Sequence, residues 1–326
     1  MAVYTSVDHD AAAHLFQHLG LGRLLHLQGI GAGIENTNYF ATTEHGDWVL
    51  TLFERLPAEQ LPYFLGLMQH LAHAGLPVPS PQAAPGGSLV HTLAGKPAAV
   101  VTRLPGRSLD TPSADACEQL GAVLAQLHLA GASYAPQQAH ERGLAWWGAT
   151  LPQVLPHVPT ELAQLLRQEL AHQQRCAATP EAQTLPRGPI HADVFRDNVL
   201  FTGGAAGMAE PLHLSGLFDF YFAGTDTWLF DVAVCLNDWC LQADSATWDA
   251  ARFQALLKGY QSQRRLTPAE RHALPDHLRA AALRFWISRL WDWYLPREAT
   301  LLTPKNPGHF ERVLRERIDN PQLPDF

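Results

Sequence analysis

An aspartate and an asparagine in the octapeptide HADVFRDN stand at a spacing that suits phosphoryl transfer. Asp193 follows His191 by two positions and precedes Asn198 by five. An aspartate in such a loop can take the proton of an attacking hydroxyl, while an asparagine on the far side of the loop can hold a magnesium ion. Residues 198–201 predict a strand that would anchor the loop. The octapeptide therefore predicts a catalytic loop with Asp193 as the base, and a coincidental turn is the alternative.

A second carboxylate, Asp219, ends an apolar run that predicts a strand over residues 214–219. Phosphoryl transfer needs a metal-holding carboxylate beside the catalytic loop. Gly203, Gly204 and Gly207 allow a hairpin that would bring Asp219 next to Asn198. Magnesium prefers few carboxylates together with substrate phosphates, so these two residues would suffice as protein ligands. The alternative is that Asp219 is an ordinary surface residue at a strand end.

A glycine-rich run, GIGAGIEN, lies between two predicted strands, where a phosphate-covering loop would belong. Glycines let backbone N–H groups approach phosphate oxygens closely. The run departs from G-x-G-x-x-G because Asn36 stands at the third glycine position, although asparagine tolerates left-handed backbone angles. We predict that Gly31, Gly33 and Asn36 contact the nucleotide, and an ordinary hairpin turn is the alternative.

The strand lysine that pairs with ATP phosphates in protein kinases is missing. Thr51 stands at the corresponding position, and the chain has only three lysines, one of them in its first hundred residues. Arg55, directly after the predicted strand, is the preferred substitute cation, and Lys96 is the other candidate.

The order of predicted elements indicates two lobes of an α+β, bilobal protein-kinase-like fold. Residues 1–103 predict a nucleotide-binding lobe with a small antiparallel sheet, and residues 104–326 predict a larger, mainly helical lobe with the catalytic loop and acceptor site. The expected elements of the first lobe are helices at 8–19 and 58–74 and strands at 24–29, 37–42, 48–53, 88–92 and 98–103. Those of the second are helices at 115–130, 146–155, 161–175, 228–240, 248–261 and 268–294 and strands at 198–201 and 214–219.

Composition excludes some classes of protein. The 326 residues are 47% hydrophobic and 17% charged, which describes a globular protein. A formal net charge of -8 argues against nucleic acid as a partner and, more weakly, against an anionic membrane.

The four cysteines form no C-x-x-C pair, and we expect Cys117, Cys176, Cys235 and Cys240 to be reduced thiols. The first residues lack the features of a signal peptide, and no apolar run reaches the roughly 18 residues that a membrane span needs. We therefore expect a cytoplasmic protein.

Two segments, HADVFRDNVLF (191–201) and FDFYFAG (218–224), resemble the aminoglycoside phosphotransferase and choline kinase superfamily. Within it, four further segments resemble the bacterial homoserine kinases: GIENTNYF, VLTLFER, LFDVAVCLNDWC and RFWISRL. These segments run from the first lobe to the last helices, so the resemblance covers nearly the whole chain. The strand threonine agrees with the pattern of that subfamily, so its presence does not indicate an inactive kinase.

The resemblance implies ATP-dependent phosphorylation of the side-chain hydroxyl of L-homoserine, giving O-phosphohomoserine for threonine synthesis, with ATP and Mg²⁺ as cofactors. It implies that Asp193 is the base and that Asn198 and Asp219 hold magnesium. The linker at Thr102 and Leu104 would meet the adenine.

A guanidinium is the natural partner of the substrate carboxylate, and Arg196, Arg284 and Arg289 are the candidates. Arg196 and His191 are grouped with the catalytic base, although Arg196 could equally hold the loop. Tyr221 could line the acceptor pocket. The tryptophans of the later helices are spaced as core residues, although Trp286 or Trp239 could form a wall of that pocket. Asp226 is expected to be the N-cap of a helix that begins near Trp228. Asp231, one turn into that helix, either is an ordinary residue of its first turn or braces the catalytic loop.

Several alternatives stay open at this point. The acceptor could be choline, methylthioribose or an aminoglycoside, and the chain could be a nucleotide-binding scaffold without activity. The presence of Asp193, Asn198 and Asp219 argues against the scaffold. We expect a monomer or a homodimer.

Overall fold

The computed structural model of the chain describes residues 5–31, 36–204, 210–243, 245–295 and 305–326. The chain divides into two compact units. The first runs to Gly106 and also takes in Gly216–Phe218, and the second contains the other described residues after Gly106. Within the described residues, no helix has both the length and the apolar character to cross a bilayer.

The first unit is built around an antiparallel sheet. Its elements are α1 (His9–His18), β1 (Leu24–Gly29), β2 (Asn36–Thr43), β3 (Gly46–Phe53), α2 (Leu61–His73), β4 (His91–Leu93) and β5 (Lys96–Thr102). The five strands lie in the order β1-β2-β3-β5-β4, and each neighbouring pair is antiparallel. Alternate residues of β2 are buried, as expected for a strand with one face on a core. Phe16 of α1 packs with Leu50, Leu52 and Val100 of the sheet in that core.

The second unit is mainly helical. Its elements are α3 (Ala114–Gly131), α4 (Leu144–Val154), α5 (Thr160–Ala177), α6 (Pro180–Gln183), β6 (Arg187–Ile190), β7 (Val199–Thr202), β8 (His213–Leu217), β9 (Gly224–Thr227), α7 (Trp228–Trp239), α8 (Ala250–Gln263), α9 (Pro268–Tyr294) and α10 (Gly308–Asp319). The last residues of β8 are counted with the first unit. Strands β6 and β9 form one two-stranded sheet, and β7 and β8 form another.

This arrangement confirms the predicted α+β class, with an antiparallel sheet in the first unit and helices in the second. Four elements were missed: α6, β6, β9 and α10. Strands β6 and β9 have four residues each, and the sequences RGPI and GTDT carry no apolar alternation. They form strands because they pair with each other, a long-range contact that local patterns do not report.

Two glycines allow α3 and α8 to approach closely. A Cβ added at Gly121 would overlap the backbone oxygen of Leu256, and one added at Gly259 would overlap the backbone oxygen of Glu118. No residue larger than glycine therefore fits at either position without moving the helices apart. The close approach matters for function because α3 and α8 both contribute to a buried hydrogen-bond network described below.

We expect Gly259→Ala to destabilise the protein by about 1–3 kcal/mol, because the added methyl forces two backbones apart. The measurement is the free energy of unfolding from urea denaturation. Gly148→Ala, within α4, is the matched control because a Cβ there meets nothing within 4 Å. That control should gain about 0.5–1 kcal/mol. Equal effects of the two substitutions would contradict the close helix contact.

Candidate active site

A small sheet holds the octapeptide loop and helix α7 together. Strand β6 leads directly into His191, and its antiparallel partner β9 leads directly into α7. Ile190 pairs with Gly224 and Arg187 with Thr227. The start of the loop and the start of α7 are therefore both anchored to one two-stranded sheet.

Asp231, in the first turn of α7, binds the backbone of the loop. Its Oδ2 accepts from the amide of His191 at 2.7 Å, and its Oδ1 accepts from the amide of Ala192 at 2.6 Å. Ala192 has a φ of 65°, a left-handed conformation that costs a non-glycine residue energy. Of the two roles predicted for Asp231, the structure supports bracing the loop. The N-cap of α7 is Thr227, so the prediction that Asp226 caps this helix is wrong by one residue.

A buried histidine, His128, forms a hydrogen bond with the Asp231 carboxylate. His128 of α3 contacts Asp231 Oδ2 through Nε2 at 3.2 Å and the hydroxyl of Tyr260 through Nδ1 at 2.9 Å. Burial lowers the pKa of His128, although the Asp231 carboxylate opposes that shift. Burial alone would raise the pKa of Asp231, but the bonds from His128 and the loop amides hold it below its usual range. Asp231 is therefore an ionised carboxylate fully enclosed by donors.

The end of α7 fixes the middle of the loop. Trp239 donates from Nε1 to the backbone oxygen of Val194 at 3.0 Å, and the Sγ of Cys235 lies 3.8 Å from the same oxygen. Both side chains are buried. Asp231, Cys235, Asp238 and Trp239 lie on one face of the helix because residues four, seven and eight apart share a face. We call these four residues the loop-facing stripe of α7.

Asp238 of that stripe binds both the backbone and the side chain of Arg196. Its carboxylate accepts from the Arg196 amide at 2.8 Å and from the guanidinium Nε and Nη2 at 3.2 and 3.3 Å. The Nη1 of Arg196 donates to the backbone oxygen of Asp110 at 2.6 Å. Burial raises the pKa of Asp238, and the bonds from Arg196 oppose that shift. These contacts favour the interpretation that Arg196 holds the loop, and a catalytic role for it stays a prediction.

The Asp193 carboxylate is half-buried and oriented by Asn198. The Asn198 side chain donates from Nδ2 to the Asp193 backbone oxygen at 2.8 Å and to its Oδ2 at 3.2 Å. The Asp193 amide donates to His191 Nδ1 at 3.2 Å. Burial raises the pKa of Asp193, and the charges of Arg284 and His191 oppose that shift.

His191 is fully buried, and its ring centroid lies 4.5 Å from that of Phe220. Its contacts hold the backbone of the loop. His191 therefore serves as a positioning residue in this structure, while its grouping with the catalytic base stays a prediction.

Asn198 and Asp219 occupy positions that suit a shared cation. The connection between β7 and β8 spans residues 203–212, shorter than the roughly twelve residues of a parallel crossover. The two strands therefore run antiparallel, and the residue before β7 lies at the same end as the residues after β8. Asn198 uses its amide nitrogen on Asp193, so its Oδ1 is the atom left for a metal ion. One carboxylate and one amide oxygen are hard ligands that fit Mg²⁺.

Asp219 adopts a left-handed backbone conformation with φ 68°. Few non-glycine residues do so, and such outliers concentrate at functional sites. Gly203 and Gly204 both have φ 67°, as their predicted place in the hairpin requires. Gly207 lies outside the described residues.

Arg284 of α9 is buried between aromatic rings. Its guanidinium carbon lies 3.8 Å from the ring centroid of Phe285 and 5.2 Å from that of Phe222. Its charge is the strongest influence that lowers the pKa of Asp193. Tyr221 lies in the single turn Phe220–Phe222 that follows Asp219. Arg284 therefore lies close enough to Asp193 to influence its carboxylate, and Tyr221 lies two residues after Asp219.

Arg289 lines a different space, a cavity of about 380 Å³ beside the end of the loop. Burial lowers the pKa of Arg289 to about 10, although nearby carboxylates oppose that shift. The other residues around the cavity are Ser108, Leu109, Asp110, Phe195, Arg196, Asp197, Asp238, Lys305 and His309.

Trp286 is 0% exposed. Its side chain has no surface to offer a substrate, so its predicted place in the acceptor pocket is not supported, and it packs in the core.

The residues predicted to bind the nucleotide lie in the first unit. Gly31 is at the edge of the described residues, and Gly33 lies outside them. Asn36 begins β2, and Arg55 is exposed shortly after β3. Leu104 follows β5 in the same unit. No contact of these residues tests their predicted role.

Lys96 and Thr102 have defined partners. The Lys96 ammonium lies 3.0 Å from Glu54 Oε2, and Glu54 Oε1 accepts from the hydroxyl of Thr37 at 2.7 Å. Thr102 Oγ1 accepts from the amide of Ser80 at 2.9 Å. Lys96 therefore carries an acidic partner, whereas Arg55 lies exposed to solvent, and which of them replaces the strand lysine stays open.

Three residues around the candidate site escaped the sequence reasoning: His128, Asp238 and Arg142. Trp239 was considered only as a core or pocket residue, and the structure shows that it binds the loop backbone. Asp238 and Trp239 follow Asp231 at helical spacing, and that spacing was the available signal. His128 and Arg142 lie far from the motifs along the chain. The Arg142 guanidinium lies 4.4 Å from the ring centroid of Trp146 and 5.7 Å from that of Phe222, the ring that also faces Arg284.

We expect Asp231→Asn to lower the free energy of unfolding by about 3–5 kcal/mol near pH 7, because an amide cannot accept from two backbone N–H groups and His128 together. The folded-state pKa of Asp231 is lowered, so its contribution is complete above the unfolded pKa of about 4 and is lost as pH falls below it. The gap between the two proteins in urea denaturation should therefore be constant above about pH 5 and shrink below about pH 4.

Asp319→Asn, at the exposed end of α10, is the control and should change stability by less than about 0.5 kcal/mol. If Asp231→Asn behaved like this control, the carboxylate would not be holding the loop.

Comparison with known proteins shows which family the chain is similar to. A family model described as "Phosphotransferase enzyme family" matches residues 26–274. A homoserine kinase of Polaromonas naphthalenivorans (strain CJ2) is 52% identical over 323 residues, covering 99% of this chain and 100% of the relative. A homoserine kinase of Burkholderia ambifaria (strain MC40-6) is 51% identical over 326 residues, covering 100% of this chain and 98% of the relative.

Among solved structures, an amicoumacin kinase in complex with AMP-PNP, Ca²⁺ and Ami matches with a TM-score of 0.68 and 18% identity. The match covers 96% of this chain and 93% of the kinase, and at that identity it shows the fold alone. It confirms the predicted protein-kinase-like fold. Because the family model spans most of the chain and the relatives match it from end to end, the chain belongs to the phosphotransferase enzyme family.

Proposed function

We propose that the chain transfers the γ-phosphate of ATP to the side-chain hydroxyl of L-homoserine, giving O-phospho-L-homoserine for threonine biosynthesis. The observation that carries the proposal is the Asp193 carboxylate, oriented by Asn198 on a loop braced along its length by α7. The choice of acceptor rests on the homoserine kinases that match the whole chain at about half identity.

Asp193 acts as the general base. Its carboxylate takes the proton of the homoserine hydroxyl while that oxygen bonds to the γ-phosphorus, and the bond from phosphorus to the bridging oxygen of ADP breaks. A carboxylate with a raised pKa is a better proton acceptor near neutral pH. Asn198 keeps Oδ2 in place, so the carboxylate does not have to reorient during the reaction.

Asn198, through Oδ1, and Asp219, through its carboxylate, would hold Mg²⁺. When bound, the ion neutralises charge on the phosphate oxygens. The left-handed backbone of Asp219 sets the direction in which its side chain leaves the chain. The role of these two residues as ligands is a proposal that follows from their donor chemistry and their shared end of the β7–β8 sheet.

Arg284 is our candidate for the substrate carboxylate. Homoserine is short, so the group that binds its carboxylate has to lie near the base that receives its hydroxyl. Arg284 meets this condition better than Arg289, since its charge acts more strongly than any other on Asp193. Arg142 faces the same Phe222 ring and is a candidate second guanidinium. The two other cations of the cavity beside Arg289 are already paired with carboxylates, Arg196 with Asp238 and Lys305 with Asp197. They are therefore weaker candidates for binding the substrate carboxylate.

The function is tested by ADP release from ATP and Mg²⁺ with homoserine, choline, methylthioribose or kanamycin as acceptor. We expect saturable turnover with homoserine alone. Asp193→Asn should reduce kcat by at least roughly 100-fold, because the amide cannot take the proton. Its affinity for a nucleotide analogue should stay close to that of the unaltered protein.

Turnover with another acceptor would keep the kinase chemistry and overturn the substrate. Near-normal turnover by Asp193→Asn would remove the base assignment. No turnover with any acceptor would overturn the proposed activity.

The substrate carboxylate is tested by comparing Arg284→Met with Arg289→Met. Loss of a charged hydrogen bond should raise KM for homoserine roughly 10- to 100-fold in Arg284→Met, with KM for ATP unchanged. Arg284 lowers the pKa of Asp193, so its removal raises that pKa and moves the acidic limb of kcat/KM to higher pH. Arg289→Met should leave KM for homoserine within about threefold of normal. The opposite pattern would place the carboxylate in the cavity beside Arg289.

The cytoplasmic location, the monomeric or dimeric state and the adenine contacts of Thr102 and Leu104 remain predictions.

A further inference from the structure

Three different donor side chains converge away from the active site, on helices α5 and α9. His172 and Cys176 lie one turn apart on α5, and Asp276 lies on α9. The His172 Nε2 is 2.7 Å from Asp276 Oδ1 and 3.4 Å from Cys176 Sγ. The nitrogen, sulfur and oxygen donor atoms all lie within 4.8 Å of one another. Their side chains are reachable by solvent, with 25% of His172 and 40% of Asp276 exposed.

The arrangement does not suit a nucleophilic cysteine. In a cysteine–histidine–aspartate relay, the sulfur and the carboxylate contact opposite ring nitrogens. Here both contact Nε2 of His172. Burial and the Asp276 carboxylate also raise the pKa of Cys176 to about 11, so the free thiol is a weak nucleophile. The three donors surround one point instead of forming a chain.

The neighbouring charges leave Asp276 available to a cation. Arg279 lies on the same helix, but its guanidinium donates to both carboxylate oxygens of Glu169. Gln173 donates to Glu169 Oε1 and to the backbone oxygen of Asp276, so it stabilises the backbone at the site. The guanidinium of Arg279 is thus committed to Glu169.

We propose that His172, Cys176 and Asp276 form a binding site for a divalent transition-metal ion of the Zn²⁺ or Co²⁺ class. Thiolate, imidazole and carboxylate are the ligands that such ions take, and water would complete a four-coordinate site. A helical spacing of four residues places two ligands on one face. On binding, the thiol releases one proton to solvent, and the imidazole coordinates through Nε2 with its remaining hydrogen on Nδ1.

The site would join two helices of the second unit. Asp276 lies about two turns before Arg284 on α9, so a bound ion would restrain the helix that carries Arg284. The ion would have a structural role, because the hydrogen bonds of its three ligands within the described residues stay on α5 and α9 or the turn that follows α5. Metal binding should therefore raise the thermal stability of the protein and leave the identity of the acceptor unchanged.

The test is a Co²⁺ titration of the full-length protein after treatment with a chelator. We expect tetrahedral d–d bands in the visible and a thiolate-to-cobalt charge-transfer band in the near ultraviolet, both abolished by Zn²⁺. The Asn198 and Asp219 pair has oxygen donors only, so Co²⁺ bound there gives no thiolate band. Cys176→Ser should remove that band and weaken binding roughly tenfold or more, and Asp276→Asn should keep the band but weaken binding similarly.

His18→Gln, an exposed histidine on α1, is the matched control and should change neither band nor affinity. A stabilising shift of Tm by Zn²⁺ should occur in the unaltered protein and be lost in Cys176→Ser. Absence of the thiolate band in the unaltered protein would overturn the proposal. So would a Cys176→Ser variant that keeps the band, or an Asp276→Asn variant with unchanged affinity.

Discussion

The carboxylate of Asp231 is the contact on which the catalytic loop depends. It accepts from two successive backbone amides, at His191 and Ala192, and this holds Ala192 in a left-handed conformation. A buried carboxylate is costly unless donors surround it. His128 supplies the third donor and is itself held by Tyr260, and these two side chains meet because glycines bring their helices together. The position of the loop that carries Asp193 therefore depends on packing between α3 and α8.

Two carboxylates of α7, Asp231 and Asp238, bind the same loop, but their pKa values are shifted in opposite directions. The pKa of Asp231 is lowered, since amide and imidazole donors outweigh its burial. The pKa of Asp238 is raised, since burial outweighs its bonds with Arg196. Asp193 lies on the loop between the points that Asp231 and Asp238 bind, and two opposing effects act on its pKa. Burial raises the pKa of Asp193, and the charge of Arg284 opposes that rise. In the base role proposed for Asp193, a raised pKa would make the carboxylate a better proton acceptor.

Sequence reasoning found the parts of the site that depend on local spacing. Asp193 and Asn198 lie in one short loop, and β1 and α9 have the predicted bounds because apolar periodicity and turn residues define them. The partners of the loop were harder to see. His128 lies more than a hundred residues from Asp231 along the chain, and β6 exists only because β9 pairs with it. Both a core and a pocket position stayed possible for Trp286, because helical spacing alone does not separate the two, and the structure buries its side chain completely.

The loop-facing stripe of α7 fixes the number of residues between its members, because that number decides whether they all face the loop. Each inserted or deleted residue would rotate everything beyond it by about 100° around the helix axis and shift it by about 1.5 Å. A length change between Asp231 and Asp238 would turn one end of the stripe away from the loop even if every residue type were kept. Because β9 runs directly into α7, relatives with this site should tolerate insertions and deletions only after the helix, and the spacing within the helix should be invariant.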